Sequence, residues 1–391
     1  MRKKNLASLV IATALAAVLS APVNAGIVIF EEGDKKIEIG GRIQLQFIDA
    51  EESGGGSRDQ VFFRRLRPYI MGTVTKDWIG KIQFDFGKSI DQDEVAIKDA
   101  YMMYSGWDNL KFYVGNTKAV SSREFLTSSK RQMQIERGFV GDHNLGVPDR
   151  QLGFRLDGHN DSKRLTYGLT LGAEHVDPDI RRIDFDTPVN TQGDWNEGLL
   201  VSARADFHPA GYMKFDQGDF RTDEFKYTFG LAGFSWSDDG EVNTYTEPTT
   251  GMCIDEKKCD LDAATGYELS FGLRGKGLSI DGAYNVVDGE LIDPMFTGGI
   301  WLGGSTKLER PMLKAGYMFA AGENFLELGG RWQEQDADNY ESAWEIVDVG
   351  LNYFINKYKV KVQLTYTIQD NVGGNPDQDL DILRMQWQFV F

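Results

Sequence analysis

Hydrophobic and polar residues alternate along most of this chain. In "RIQLQF" Ile43, Leu45 and Phe47 are separated by Arg42, Gln44 and Gln46; in "KIQFDF" Ile82, Phe84 and Phe86 alternate with Lys81, Gln83 and Asp85. The run "YKVKVQLTYTI" sets Tyr358, Val360, Val362, Leu364, Tyr366 and Ile368 against Lys359, Lys361, Gln363, Thr365 and Thr367. A period of two sends successive side chains to opposite faces, so each segment reads as a strand with one apolar and one wet face. No stretch of this length carries a helical repeat as well. The pattern predicts about sixteen strands, near 37–48, 61–75, 78–87, 94–105, 109–116, 150–158, 163–174, 197–207, 224–236, 266–275, 278–288, 311–320, 325–334, 344–354, 358–369 and 382–391. The last of them, "ILRMQWQFVF", places Phe391 on its apolar face with Leu383, Met385, Trp387 and Phe389.

The connections carry as much information as the strands. Lys76–Asp77, Lys276–Gly277 and Ile355–Lys357 are tight turns, whereas 49–60, 117–149, 175–196, 237–265 and 289–310 are long. Short and long connections alternate, as they do in an up-and-down barrel with turns on one rim and loops on the other. A sandwich built on Greek-key crossovers has no reason to alternate them. The segment 208–223, with Pro209 and Gly211, is the exception on the short side. An even strand number lets the last strand pair with the first, removing sheet edges that lipid could not satisfy. The expected architecture is therefore an all-β, transmembrane, antiparallel barrel, with Phe391 ending the strand that closes it.

Residues 1–25 read as a cleavable export signal: Arg2, Lys3 and Lys4, an apolar run from Leu6 to Ala21, then "VNA". That leaves 26–391 as one barrel domain. Beyond the signal no run of 18 apolar residues appears. The 44 glycines and 12% aromatic content accompany a weak overall hydropathy, which suits strands that face water with every second residue. A net charge of −17 argues against nucleic acid as a partner. Cys253 and Cys259, six apart, read as a small disulfide loop in an exported protein. Motifs for nucleophilic, zinc-dependent, phosphate-binding and dinucleotide-binding chemistry are all missing from the sequence. Neither catalysis nor a cofactor nor a metal is expected.

With the apolar face toward lipid, the other face lines a lumen. Its basic residues include Arg42, Arg65, Arg67, Lys81, Lys111 and Arg155, with the densest patch in "FFRRLRPY". Guanidinium groups stay charged and fork toward oxyanions, so a wall of them favours anions. The long connection 117–149 adds Lys118, Arg123, Lys130, Arg131 and Arg137.

These stretches resemble the phosphate-selective porin O/P family of bacterial outer membranes. The matching segments are "FFRRLRPYIMGTVTKDWIGKIQFDF", "IKDAYMMYSGWDNLKFYVGNTK", "EFLTSSK" with the following "ERG", and the aromatic C-terminus. The resemblance implies a homotrimer of sixteen-stranded barrels in the Gram-negative outer membrane, set among its lipid and lipopolysaccharide, with the third long loop folded inward. It further implies small anionic solutes, recognition of Phe391 by the barrel-assembly machinery, Arg65 in an arginine ladder, and Ser128 and Ser129 at the constriction. One departure stands out: Phe125 occupies the place of the family's central lysine, two residues before "TSS", and Arg123 is the expected substitute. The competing readings are a structural or adhesive barrel, which would not conduct, and a barrel enzyme, which would need a catalytic Ser-His pair.

Overall fold

The computed structural model describes residues 26–87, 95–186, 198–240 and 243–391; the export signal read at 1–25 lies outside them. Sixteen of the described strands close into one antiparallel barrel. In chain order they are β2 (Lys35–Glu52), β3 (Ser57–Thr75), β4 (Trp78–Asp85), β5 (Ala96–Trp107), β6 (Leu110–Lys118), β7 (Arg150–His159), β8 (Leu165–Ala173), β11 (Leu199–Phe207), β12 (Lys226–Ser237), β13 (Leu261–Gly275), β14 (Leu278–Leu291), β15 (Ser305–Ala321), β16 (Asn324–Ala337), β17 (Trp344–Asn356), β18 (Val360–Asp370) and β19 (Leu380–Val390). A short strand β1 (Ile27–Glu32) folds back on the start of β2, and β9 (His175–Asp179) with β10 (Arg182–Asp186) forms a separate hairpin between β8 and β11. Closure runs from Leu380 opposite Glu52 to Val390 opposite Arg42. Phe391 then extends the ladder by exchanging main-chain hydrogen bonds of 2.9 and 3.1 Å with Gly41.

The residue distribution is inverted relative to a soluble domain. On β18, Lys361, Gln363, Thr365 and Thr367 are 0–3% exposed, while Leu364, Tyr366 and Ile368 between them are 40–42% exposed. The same inversion on the other strands forms the apolar belt that a bilayer requires. The turns explain the hairpins. Lys276 and Gly277 both hold positive φ, 55° and 90°, the two-residue geometry whose twist matches that of the flanking strands.

Two connections depart from expectation. The segment 49–60 is mostly strand, because β2 and β3 run on to Glu52 and from Ser57. Its "DAEES" acids lack an apolar partner face, so alternation alone ended the strand early. The odd segment 208–223 turns into the lumen, where Gly218 N–H donates to Ser279 Oγ at 3.0 Å and Gln217 accepts from Met133 N–H at 2.9 Å.

The main apolar cluster sits under the long-loop rim, where Ile183 and Phe185 of β10 pack with Trp236, Leu261, Ile300 and Trp301. A disulfide joins Cys253 to Cys259 there. Its loop grips the β9–β10 hairpin: Ile180 N–H donates to Lys257 O at 2.9 Å, and Lys258 Nζ reaches both Asp177 oxygens at 2.8 Å.

Candidate functional site

Between β6 and β7 the chain leaves the wall and crosses the lumen. A single helical turn, Arg123–Leu126, starts at Ser122, whose hydroxyl accepts from Phe125 N–H. The crossing segment buries Phe125, Met133, Ile135, Phe139 and Val140 and is tied to the far wall at several points. Lys314 Nζ meets both Glu124 oxygens at 2.8 and 2.9 Å. Arg123 N–H donates to Glu268 at 2.8 Å and Phe139 N–H to Gln333 at 2.9 Å, while Asn352 donates to Met133 O at 2.8 Å. Met133 lies so close to β16 that a Cβ at Gly329 would come within 2.4 Å of its sulfur; a larger residue there would have to displace the Met133 side chain. The β13–β19 side of the lumen is thus filled, and the open space lies against β2–β7.

That space is a cavity of about 820 Å³. It runs from Arg182, Asp184 and Asp186 of the β9–β10 hairpin to Tyr69, Lys81 and Val390 toward the short-turn rim. Twelve Lys and Arg side chains line it, against seven Asp and Glu. Two β-bulges enrich the wall. Gln44 opposes Arg65 and Leu45 opposes Phe63, which leaves Arg64 as the extra residue and turns both Arg64 and Arg65 inward. Likewise Gln83 opposes Asp99 and Phe84 opposes Ile97, bringing Lys98 in beside Asp99. Strict alternation misses Arg64 and Lys98. A signal was nonetheless present: the apolar positions change from odd to even, Val61 and Phe63 to Leu66, Pro68 and Ile70.

Many of these charges are paired. Asp85 holds Arg67 at 2.6 Å, Asp99 bridges Lys81 at 2.6 Å and Arg150 at 3.0 Å, and Asp157 holds Arg155 at 2.8 Å. Glu136, from the crossing loop, takes Arg64 at 2.8 Å. Burial alone would push the Glu136 carboxyl up, but Arg64 and Arg65 outweigh it and hold the group well below the usual carboxylate range. Arg42, Lys118, Lys130 and Arg137 have no carboxylate partner at ion-pair distance among the described residues. Arg42 rests on Ser129 Oγ at 2.6 Å, Lys118 on Phe125 O, and Arg137 on Thr127 O at 3.2 Å. Burial, then the nearby Arg42 and Arg131, push Lys130 down to about 8.

Of the residues singled out in the sequence, Arg42, Arg65, Arg67, Lys81, Arg155, Ser128, Ser129 and Lys130 meet on this cavity. Lys111 lies instead on a second cavity of about 530 Å³, which shares Tyr113, Leu126 and Arg155 with the first. Arg123, Phe125 and Arg131 are absent from this cavity. Arg123 does not substitute for the missing lysine: it turns to the far wall and pairs with Asp281 at 3.1 Å. Phe125 is buried beneath the surface, and Lys118 and Arg137 stand 4.2 and 5.3 Å from its ring centroid. Arg131 is absent from the cavity lining, its carbonyl accepting from Gln217 N–H at 3.0 Å.

The family model described as "Phosphate-selective porin O and P" matches residues 37–233, half of the chain and all of the strands that carry this wall. The chain belongs to this family. Porin O of Pseudomonas aeruginosa is 29% identical to this porin over 166 residues, covering 35% of the chain and 38% of that relative; the match therefore spans well under half of Porin O. Among solved structures, an anion-selective porin from Comamonas acidovorans aligns with a TM-score of 0.58 at 12% identity, covering 91% of this chain and all of the other. The outer-membrane channel DcaP of Acinetobacter baumannii aligns at 0.57 and 13% identity, over 93% of this chain and all of its own. At these identities the likeness is one of fold, and it agrees with the closed antiparallel barrel of this chain.

Proposed function

We propose that this porin is a water-filled diffusion channel of the outer membrane that prefers small oxyanions, phosphate-type anions among them. The observation that carries the reading is the set of cavity cations with no carboxylate partner at ion-pair distance among the described residues, Arg42, Lys118, Lys130 and Arg137, the first of which meets the Ser128 and Ser129 hydroxyls. An ion crossing this cavity passes within the Debye length of about 8 Å at physiological salt, so these charges act on it with little screening. Two relatives point the same way, one named phosphate-selective in its family description and one an anion-selective porin.

The same reading includes export through a signal cleaved after Ala25, assembly through Phe391 by the barrel-assembly machinery, and a homotrimer in lipopolysaccharide-bearing membrane. Trimeric OmpT of Vibrio cholerae, similar in fold, supports the last. The test is single-channel recording in a planar bilayer with a reversal potential across a KCl gradient. Chloride preference is expected. Cation preference would overturn the reading, and a silent barrel would leave a structural role instead.

A further inference from the structure

Glu136 sits where an oxyanion would. Its Oε1 accepts from Arg64 Nε at 2.8 Å and from Gln46 Nε2 at 3.1 Å, and its Oε2 accepts from Arg64 Nη2 at 3.2 Å with Arg65 Nη2 3.8 Å away. Two guanidinium groups and an amide thus converge on two carboxylate oxygens, the fork geometry by which arginine binds oxyanions. The bulge in β3 exists at this point and delivers both arginines to it. Arg65 is 3% exposed, and its Nε is buried without a hydrogen-bond partner among the described residues while Glu136 is in place. The receptor therefore has a donor that the carboxylate does not use.

We propose that Glu136 is a tethered competitor: its carboxylate fills the oxyanion receptor of Arg64 and Arg65, and a permeating oxyanion must displace it. This rests on the anion-channel reading above. The arrangement allows exchange. The Glu136 side chain is 26% exposed on the cavity wall, and the loop that bears it is held to the opposite wall by Glu124 and Phe139 whatever Glu136 does. The physical use follows from conduction, which requires sites that bind enough to admit an ion and weakly enough to release it. Two bare arginines beside Arg67 would retain an oxyanion. A resident carboxylate at high local concentration speeds its departure, as an intramolecular ligand does.

The experiment uses the full-length porin in planar bilayers, with inorganic phosphate as a blocker of chloride current. E136Q and E136A should lower the half-blocking phosphate concentration about tenfold, and E136D should keep the wild-type value. D142N removes another acid from the same cavity; asparagine keeps the capping role of Asp142 toward Asn144, and the half-block should move by less than about threefold. An E136Q half-block that is unchanged or raised would overturn the proposal, since a role confined to pinning the loop predicts weaker phosphate binding when the pin is lost. A D142N shift as large as that of E136Q would also overturn it, by showing a field effect in place of competition. If wild type itself prefers cations, the channel reading falls; if wild type prefers anions and E136Q is inert, only the competitor falls. Heat-modifiable migration on gels verifies that each variant is folded.

Discussion

The crossing loop's strongest tie is the buried pair of Glu124 and Lys314, so Lys314→Met tests what keeps the lumen narrow. Lys314 is 1% exposed and Glu124 3%, with both carboxylate oxygens within 2.9 Å of the ammonium. Removing one member of such a pair leaves an uncompensated buried charge, at a cost of roughly 3–5 kcal/mol. The barrel ladder around Lys314 is untouched, because β15 keeps its main-chain pairing to β14 and β16. The strain falls on the loop. The helical turn keeps two further ties, Arg123 N–H to Glu268 at 2.8 Å and the Arg123 guanidinium to Asp281 at 3.1 Å, but both hold Arg123 and neither offers Glu124 a countercharge in its dry site. The carboxylate should swing toward the water of the cavity and carry Phe125 and Leu126 with it, pivoting on the anchored Arg123.

Single-channel recording should then show a larger and noisier conductance than wild type, with an unfolding temperature for the barrel close to normal. Replacing both partners, as in E124Q with K314M, should restore a quiet channel, since neutral groups of similar shape make small demands on that site. A K314M channel with wild-type conductance and noise, in protein that still shows heat-modifiable migration, would refute the reasoning and assign the loop's position to its main-chain contacts alone.

Lys130 should impose a pH dependence on selectivity: it is charged below about 8 and neutral above, so chloride preference should fall as pH rises through that value, and K130Q should show the lower preference at all pH. A reversal potential in wild type that stays flat from neutral to alkaline pH would contradict it. Replacing Arg65 and Arg67 together by Gln should move the reversal potential toward cation preference, because Asp85 loses its partner at 2.6 Å and adds a bare negative charge to the wall; no shift would count against this wall as the selective surface. Removing the Cys253–Cys259 bond as C253S/C259S should leave the barrel's unfolding temperature nearly unchanged and raise proteolysis of the 253–259 segment, since closing so short a loop contributes roughly 2–3 kcal/mol and does so locally. A large fall in barrel stability would show that the rim cluster supports the strands.

Sixteen strands, their connection order and the closing role of the last strand were legible because lipid on one side and water on the other impose a period of two that nothing else in the chain produces. The lumen was harder to read. A loop that crosses a polar interior seats Met133 and Phe139 against residues scattered over β15 to β18, and those contacts have no sequence period. Arg123 illustrates the loss: by spacing it stands two residues from Phe125, yet one helical turn rotates it away from the pore and onto Asp281.

The bulges are the instructive middle case. A one-residue insertion reverses the faces of everything beyond it, so a strand that changed parity and stayed paired would put its arginines in lipid unless the sequence changed parity with it. In "VFFRRLRPYI" it does. Val61 and Phe63 face out before the bulge, Ile70 faces out after it, and the two adjacent arginines at the break both face the lumen. The phase change in the apolar positions is thus the readable trace of the bulge. The same trace appears between Ile97 and Met102, where Lys98 and Asp99 are both brought to the cavity. At each place the bulge adds an inward charge to the wall without placing one in the apolar belt, which an alternating strand of the same length could not do.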